Sequence, residues 1–136
     1  MKKKLTEQVL GTATLVDYMS AASTTAHVSS SIDREGYLSA YVVCQASSKT
    51  SDSTDSINFY IYDSSDDSTF AIYDSANSTV TITSISTSST MKAFSSDLSG
   101  AHRYIKIYAT VSALTTITSV ISASVILGDG VIEPSV

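Results

Sequence analysis

Apolar and polar residues alternate with a period of two along most of this chain, and no other feature restricts its fold as strongly. In Tyr37–Gln45, one face carries Leu38, Ala40, Val42 and Cys44. In Ile57–Asp63 the aliphatic face is Ile57, Phe59 and Ile61, with Asn58, Tyr60 and Tyr62 opposite. Arg103–Val111 sets Ile105, Ile107, Ala109 and Val111 against Tyr104, Lys106, Tyr108 and Thr110, and Thr115–Leu127 aligns Ile117, Ile121, Ala123, Val125 and Leu127. Shorter stretches pair Phe70 with Ile72 and Val80 with Ile82, while Thr24–Ser30 and Thr90–Phe94 show the pattern more weakly. Successive side chains of a strand point to opposite faces, so this is the signature of strands buried on one side. A helical stripe is missing outside a short turn at Leu5–Leu10. The pattern predicts an all-β fold, an antiparallel β-sandwich or jelly roll of seven or eight strands, with extended N- and C-terminal arms. The expected division is an N-terminal arm over 1–20, a sandwich domain over 21–128 and a C-terminal tail over 129–136.

Composition fits this reading once the strands are in place. The 136 residues suit one domain. Ser (28) and Thr (17) make up a third of them, an excess that by itself suggests disorder or a mucin-like stalk. A hydrophobic share of 43% and a single Pro argue against both. Thr suits the pleated surface, and its hydroxyl covers the solvent side of a strand without adding charge. The connections at Ser47–Ser56, Asp63–Thr69 and Asp74–Ser78 are built from Ser, Asp and Asn, whose short side chains bond to their own backbone. Cys44, the one cysteine, excludes an intrachain disulfide and falls in an apolar stripe, as a small buried hydrophobe does.

The net charge of −5 disfavours nucleic acid as a partner, because binding phosphates needs a basic face. Three of the eight basic residues are Lys2, Lys3 and Lys4. The following Leu5–Gly11 is too polar and too short for the apolar region of a signal peptide, so the basic start reads as a flexible arm. No stretch approaches the ~18 apolar residues of a membrane-spanning helix. The expectation is a soluble chain made in the cytoplasm, with no membrane partner.

Catalytic patterns are missing. His27 and His102 lack metal-site spacing, no serine sits in a G-x-S-x-G turn, and the five glycines form no phosphate loop. The acidic connection Asp63–Ser68 lacks the ligand spacing and the glutamate of a calcium loop and reads as a turn. The reading is therefore of a non-enzyme with no catalytic residue, cofactor or metal ligand. Tyr60, Tyr62, Tyr104 and Tyr108 share faces opposite the aliphatic stripes, and tyrosine combines large apolar area with a polar tip, as protein interfaces favour.

Three stretches carry a resemblance. Ser31-Ile32-Asp33-Arg34-Glu35-Gly36-Tyr37-Leu38-Ser39-Ala40 is similar to the V/I-D-R-x-G-[FY]-x-S-A segment of a family of small tailed-phage virion proteins. Tyr62-Asp63-Ser64-Ser65-Asp66-Asp67-Ser68-Thr69-Phe70 resembles that family's hairpin. Arg103-Tyr104-Ile105-Lys106-Ile107, with Ile126-Leu127-Gly128-Asp129 and Pro134, resembles its ending. The chain departs from the pattern in its long Ser47–Ser56 loop and in having Lys106 where Arg is frequent. The resemblance implies a structural role on the surface of a bacteriophage capsid, as a head decoration or cement protein. Its implied partners are the major capsid protein and copies of itself in a homo-oligomer. The contact residues expected are Lys2, Lys3, Lys4 and Leu5 of the N-terminal arm, Tyr60, Tyr62, Tyr104 and Tyr108 of the strands, and Val131 and Ile132 of the tail. A tail, neck or fibre component and a carbohydrate-binding β-sandwich are the alternatives.

Overall fold

The computed structural model describes residues 14–19, 27–48, 56–83, 88–112 and 119–130. They form ten strand segments: β1 (Thr14–Met19), β2 (His27–Val28), β3 (Ile32–Asp33), β4 (Ser39–Ser48), β5 (Ser56–Ser64), β6 (Ala71–Ile72), β7 (Thr79–Thr83), β8 (Thr90–Asp97), β9 (Tyr104–Ser112) and β10 (Ser119–Gly128). No helix occurs among the described residues.

All pairings are antiparallel. The first sheet has the order β1-β10-β4-β8. In the second, β9 and β5 are central; β2 and β3 both pair with the outer side of β9, and β6 and β7 both pair with β5. Counting β2 with β3, and β6 with β7, as interrupted single strands reduces the ten segments to eight. Renumbered, the sheets read 1-8-3-6 and 2-7-4-5, which is the jelly-roll arrangement of two Greek keys. The all-β sandwich read from the sequence is the fold that forms.

The aliphatic stripes meet between the sheets. Ala40, Val42, Cys44 and Ala46 of β4 and Ile121, Ala123, Val125 and Leu127 of β10 face Ile57, Phe59 and Ile61 of β5 and Ile105, Ile107, Ala109 and Val111 of β9. All are buried. Each large aliphatic side chain buried this way contributes roughly 1.5–3 kcal/mol. Leu38, expected in the β4 stripe, precedes the strand and is 40% exposed. Its backbone is the part that matters, because its N–H donates to Gly128 and its carbonyl accepts from the Leu98 N–H.

One expectation is corrected by the pairing. Within the segment read as an arm, Thr14–Met19 is β1, the edge strand of the first sheet, running from Thr14 opposite Ser124 to Met19 opposite Ser119. The outer side of β10 supplies its partner, a hundred or more residues away, which no local period reveals. Lys2, Lys3, Lys4, Leu5, the Leu5–Leu10 turn, Ile117, Val131 and Ile132 lie outside the described residues.

Side chains stitch the two sheets together along the β6/β7–β8 flank. Tyr73 donates its hydroxyl to the Asp97 carbonyl (2.7 Å), the buried Ser78 and Ser96 hydroxyls meet at 2.5 Å, and Lys92 Nζ donates to the Thr81 carbonyl (2.7 Å). Lys92 stands opposite Cys44, on the inward side of an edge strand, where a charge discourages pairing with another chain.

Candidate functional site

Two constellations stand out beyond the core. One is a corner at one end of the sandwich; the other is the outer face of the second sheet.

The corner begins where β3 runs into the turn before β4. Gly36 takes a φ of 81°, a left-handed conformation that glycine adopts without strain. The Arg34 guanidinium then closes on three carbonyls: Nε donates to His102 (2.7 Å), one terminal nitrogen to Tyr37 (2.8 Å) and the other to Ala101. Its own N–H donates to the Arg103 carbonyl at 2.9 Å. Arg103 turns outward, pairing with Asp33 (2.7 Å) and Glu35 (2.8 Å) and lying 5.3 Å from the Tyr104 ring centre. The Arg103 guanidinium, with the Glu35 N–H, holds the Asp33 carboxyl below its ordinary range. Arg103 and Asp33 are 47% and 44% exposed, so solvent screens their pairing. A Cβ at Gly130 would come within 3.2 Å of the Tyr37 ring, so the tail leaves the corner through a close approach.

Asp63 closes the same corner from the end of β5. Its carboxylate is buried and accepts from the His102 N–H and meets His102 Nδ1, both at 2.8 Å. A carboxylate on Nδ1 is the orienting half of a Ser-His-Asp arrangement, but the neighbouring Ser64 hydroxyl donates to Asp66 instead (2.7 Å). His27 lies on β2 opposite Ala109, towards the other end of β9 from His102. Among the described residues, no group of three or more His, Cys, Asp or Glu is gathered for a metal ion.

The acidic connection has the hydrogen bonding of a tight turn. Asp66 accepts from the N–H groups of Ser68 (3.0 Å) and Thr69 (2.9 Å) as well as from Ser64, and these donors hold its carboxyl well below the ordinary value. Asp67 and Asp74 take left-handed φ values of 56° and 41°, doing the work that other turns give to glycine. Residues of all three stretches that carry the sequence resemblance therefore meet at this corner, where they fix strand ends and loops. Sequence reasoning named Arg34 only within the resembling segment and did not find its role, because its acceptors lie up to 68 residues away.

The outer face of the second sheet is built from the alternate residues of β5 and β9. Register places Tyr60 opposite Tyr108, Tyr62 opposite Lys106 and Ser64 opposite Tyr104. All four expected tyrosines share this face and are half-buried. Tyr62 and Tyr108 stack diagonally, with ring centres 3.8 Å apart and planes 20° apart. Lys106 Nζ sits 4.2 Å from the Phe70 ring centre, a cation–π contact. Val28, opposite Tyr108, and Ile72, opposite Tyr62, extend the band to both edges and are 40% and 44% exposed. Val28–Tyr108–Tyr62–Ile72 thus crosses β2, β9, β5 and β6. Asn58, Thr79, Thr81 and Thr110 occupy the same face beside it, and Thr81 donates to Asn58 at 2.6 Å.

No protein-family model and no curated protein matches the chain. Solved structures do share its architecture. The N-terminal cellulose-binding domain of Cellulomonas fimi β-1,4-glucanase C superposes with a TM-score of 0.56 at 10% identity, covering 90% of this chain and 81% of that one. A chain of infectious bursal disease virus, Gx strain, gives 0.54 at 16% identity, and the PBSX exported protein XepA gives 0.51 at 17%. Those two alignments cover 92% and 89% of this chain but only 33% and 39% of the viral chain and of XepA. At such identities the likeness is one of fold: a β-sandwich also found in a viral protein, an exported protein and a cellulose-binding domain.

Proposed function

We propose that the protein is a non-enzymatic virion component of a tailed phage, a decoration or cement protein that binds the assembled head. The observation that carries this reading is the aromatic band across the outer face of the second sheet. It joins Val28, Tyr108, Tyr62 and Ile72 over four strand segments, with Tyr60 and Tyr104 beside it. A flat sheet face of this kind suits another protein surface, since tyrosines bring apolar area with few rotatable bonds and a polar tip. The rest of the molecule suits repetition. Ser and Thr cover the strands, and the chain carries only 15% charged residues, so many copies can pack side by side without strong mutual repulsion. A shell offers the same site hundreds of times, and avidity then replaces high affinity at any one of them. The partners under this reading are the major capsid protein and further copies of the chain.

Quantitative mass spectrometry of purified particles tests the proposal. A copy number in simple ratio to the major capsid protein supports decoration, whereas a handful of copies per particle, or none, removes it. A carbohydrate-binding module is the second reading, favoured by the aromatic character of the same face. Tyr62 and Tyr108 each give one ring face to the other, however, which leaves less flat ring for a sugar to stack on. Binding to a glycan array, lost on Tyr62→Ala, is the outcome that would favour it.

A further inference from the structure

Lys106 lies at the centre of the tyrosine face, opposite Tyr62 and between Tyr104 and Tyr108 along β9. Its ammonium rests on the Phe70 ring. Among the described residues no carboxylate lies within ion-pairing distance of it, in a chain of net charge −5. The acidic groups at the end of the same face, Asp33 and Glu35, are both held by Arg103, and Asp63 points inward to His102. Among the described residues the face therefore offers a cation, while Asp33, Glu35 and Asp63 are already held by Arg103 and His102.

Two consequences follow for what covers it. A second copy laid on this face would bring Lys106 towards another Lys106, with Asp33 and Glu35 already held by Arg103, so the charges of this face do not favour self-pairing. The area points the same way. Four strands at ~4.8 Å and nine residues at ~3.3 Å make a face of about 500–600 Å². A standard stable interface takes about 800 Å² from each partner. A contact of this size holds when it is repeated over a lattice rather than as an isolated pair.

We infer that the outer face of the second sheet docks on a different protein surface, a repeated capsid subunit that presents a carboxylate side chain to Lys106 among the tyrosines. This rests on the decoration reading and names the chemistry of its partner. Tyr60, Tyr62 and Tyr108 exclude water around the charge pair, and the Phe70 ring holds the ammonium in place.

The test uses virions carrying the wild-type chain or single variants, washed in rising NaCl, with retained protein quantified and each variant's melting temperature checked. Lys106→Gln lowers affinity at each site by about tenfold and shifts release to lower salt, Lys106→Glu abolishes retention, and Lys106→Arg preserves it. If Lys106→Gln and Lys106→Glu are retained like wild type while Tyr62→Ala is lost, the face docks but the carboxylate partner is wrong. If Tyr62→Ala and the Lys106 variants are all retained, this face is not the docking surface and both readings of it fall. If the free chain dimerises in sedimentation and Lys106→Glu abolishes the dimer, the occupant is a second copy and the inference is overturned.

Discussion

Tyr62 and Tyr108 stack at 3.8 Å although neither stands opposite the other: the residue across from Tyr62 is Lys106, and the one across from Tyr108 is Tyr60. The contact is a diagonal one, within reach only of large side chains. It ties β5 to β9 on the outer face, as the core residues Ile61 and Ile107, opposite each other in register, do inside. A double-mutant cycle between Tyr62→Ala and Tyr108→Ala measures it by chemical denaturation. The expected coupling is about 0.5–1.5 kcal/mol, and additive losses would show that the stack contributes nothing.

The two arginines of the corner differ sharply in what they hold. Arg34 satisfies three backbone carbonyls, whereas Arg103 makes half-exposed ion pairs. Arg34→Ala is expected to destabilise the protein by about 2–3 kcal/mol, because it leaves those carbonyls without their charged donor. Arg103→Ala is expected to lower stability far less, because solvent screens its ion pairs. Arg34→Lys does not restore the clamp, since an ammonium cannot reach three acceptors in one plane. Equal effects in urea titrations would contradict this ranking.

Acid unfolding follows from three carboxylates. Asp33, Asp66 and Asp97 all have folded-state values held below the ordinary 3.8, by Arg103, by the Thr69 N–H and by the Ser99 N–H respectively. A carboxyl depressed on folding contributes stability that is present above its unfolded value and is lost as pH falls through its folded value. Stability is therefore level near neutrality and drops as pH goes below about 4. Asp66→Asn flattens this acid limb, whereas an unchanged slope in pH-dependent melting would refute the assignment.

Lys92 guards an edge. It sits on β8, the last strand of the first sheet, and caps the Thr81 carbonyl of β7. Lys92→Val removes both the charge and the cap, leaving eight residues of strand with an uncovered side. The expected outcome is concentration-dependent association in light scattering with only a small change in melting temperature. A variant that stays monomeric at high concentration would show that the edge is protected by something else.

What the sequence revealed depended on where each strand lies. β4, β5, β9 and β10 are flanked on both sides in their sheets and buried on one face, so their alternation made most inward residues legible, although at β4 the stripe was set two residues early, with Leu38 in and Ala46 out. β1 was hidden because Leu15 and Val16 are adjacent in sequence and its partner among the described residues is β10. β3 is two residues long and carries no period. Tyr60, Tyr62, Tyr104 and Tyr108 could be placed on outward faces by counting in twos. Their joining into one face, and the diagonal stack, depend on the register between β5 and β9, which pairs residues about fifty apart. Lys92 carried no signal, and Arg34 stood in the resembling segment with no hint of its role, since the partners of both are backbone carbonyls that every sequence possesses. Cys44 was read correctly from its stripe: it is fully buried, and burial pushes its thiol up to about 12.

A cryo-EM reconstruction of heads carrying the protein tests the central claim most directly. The account predicts density that follows the capsid lattice, with the second sheet turned to the shell and Tyr60, Tyr62, Lys106 and Tyr108 buried against an acidic side chain of the capsid protein. Density confined to the tail, or a lattice-bound molecule whose tyrosine face points into solvent, would contradict it.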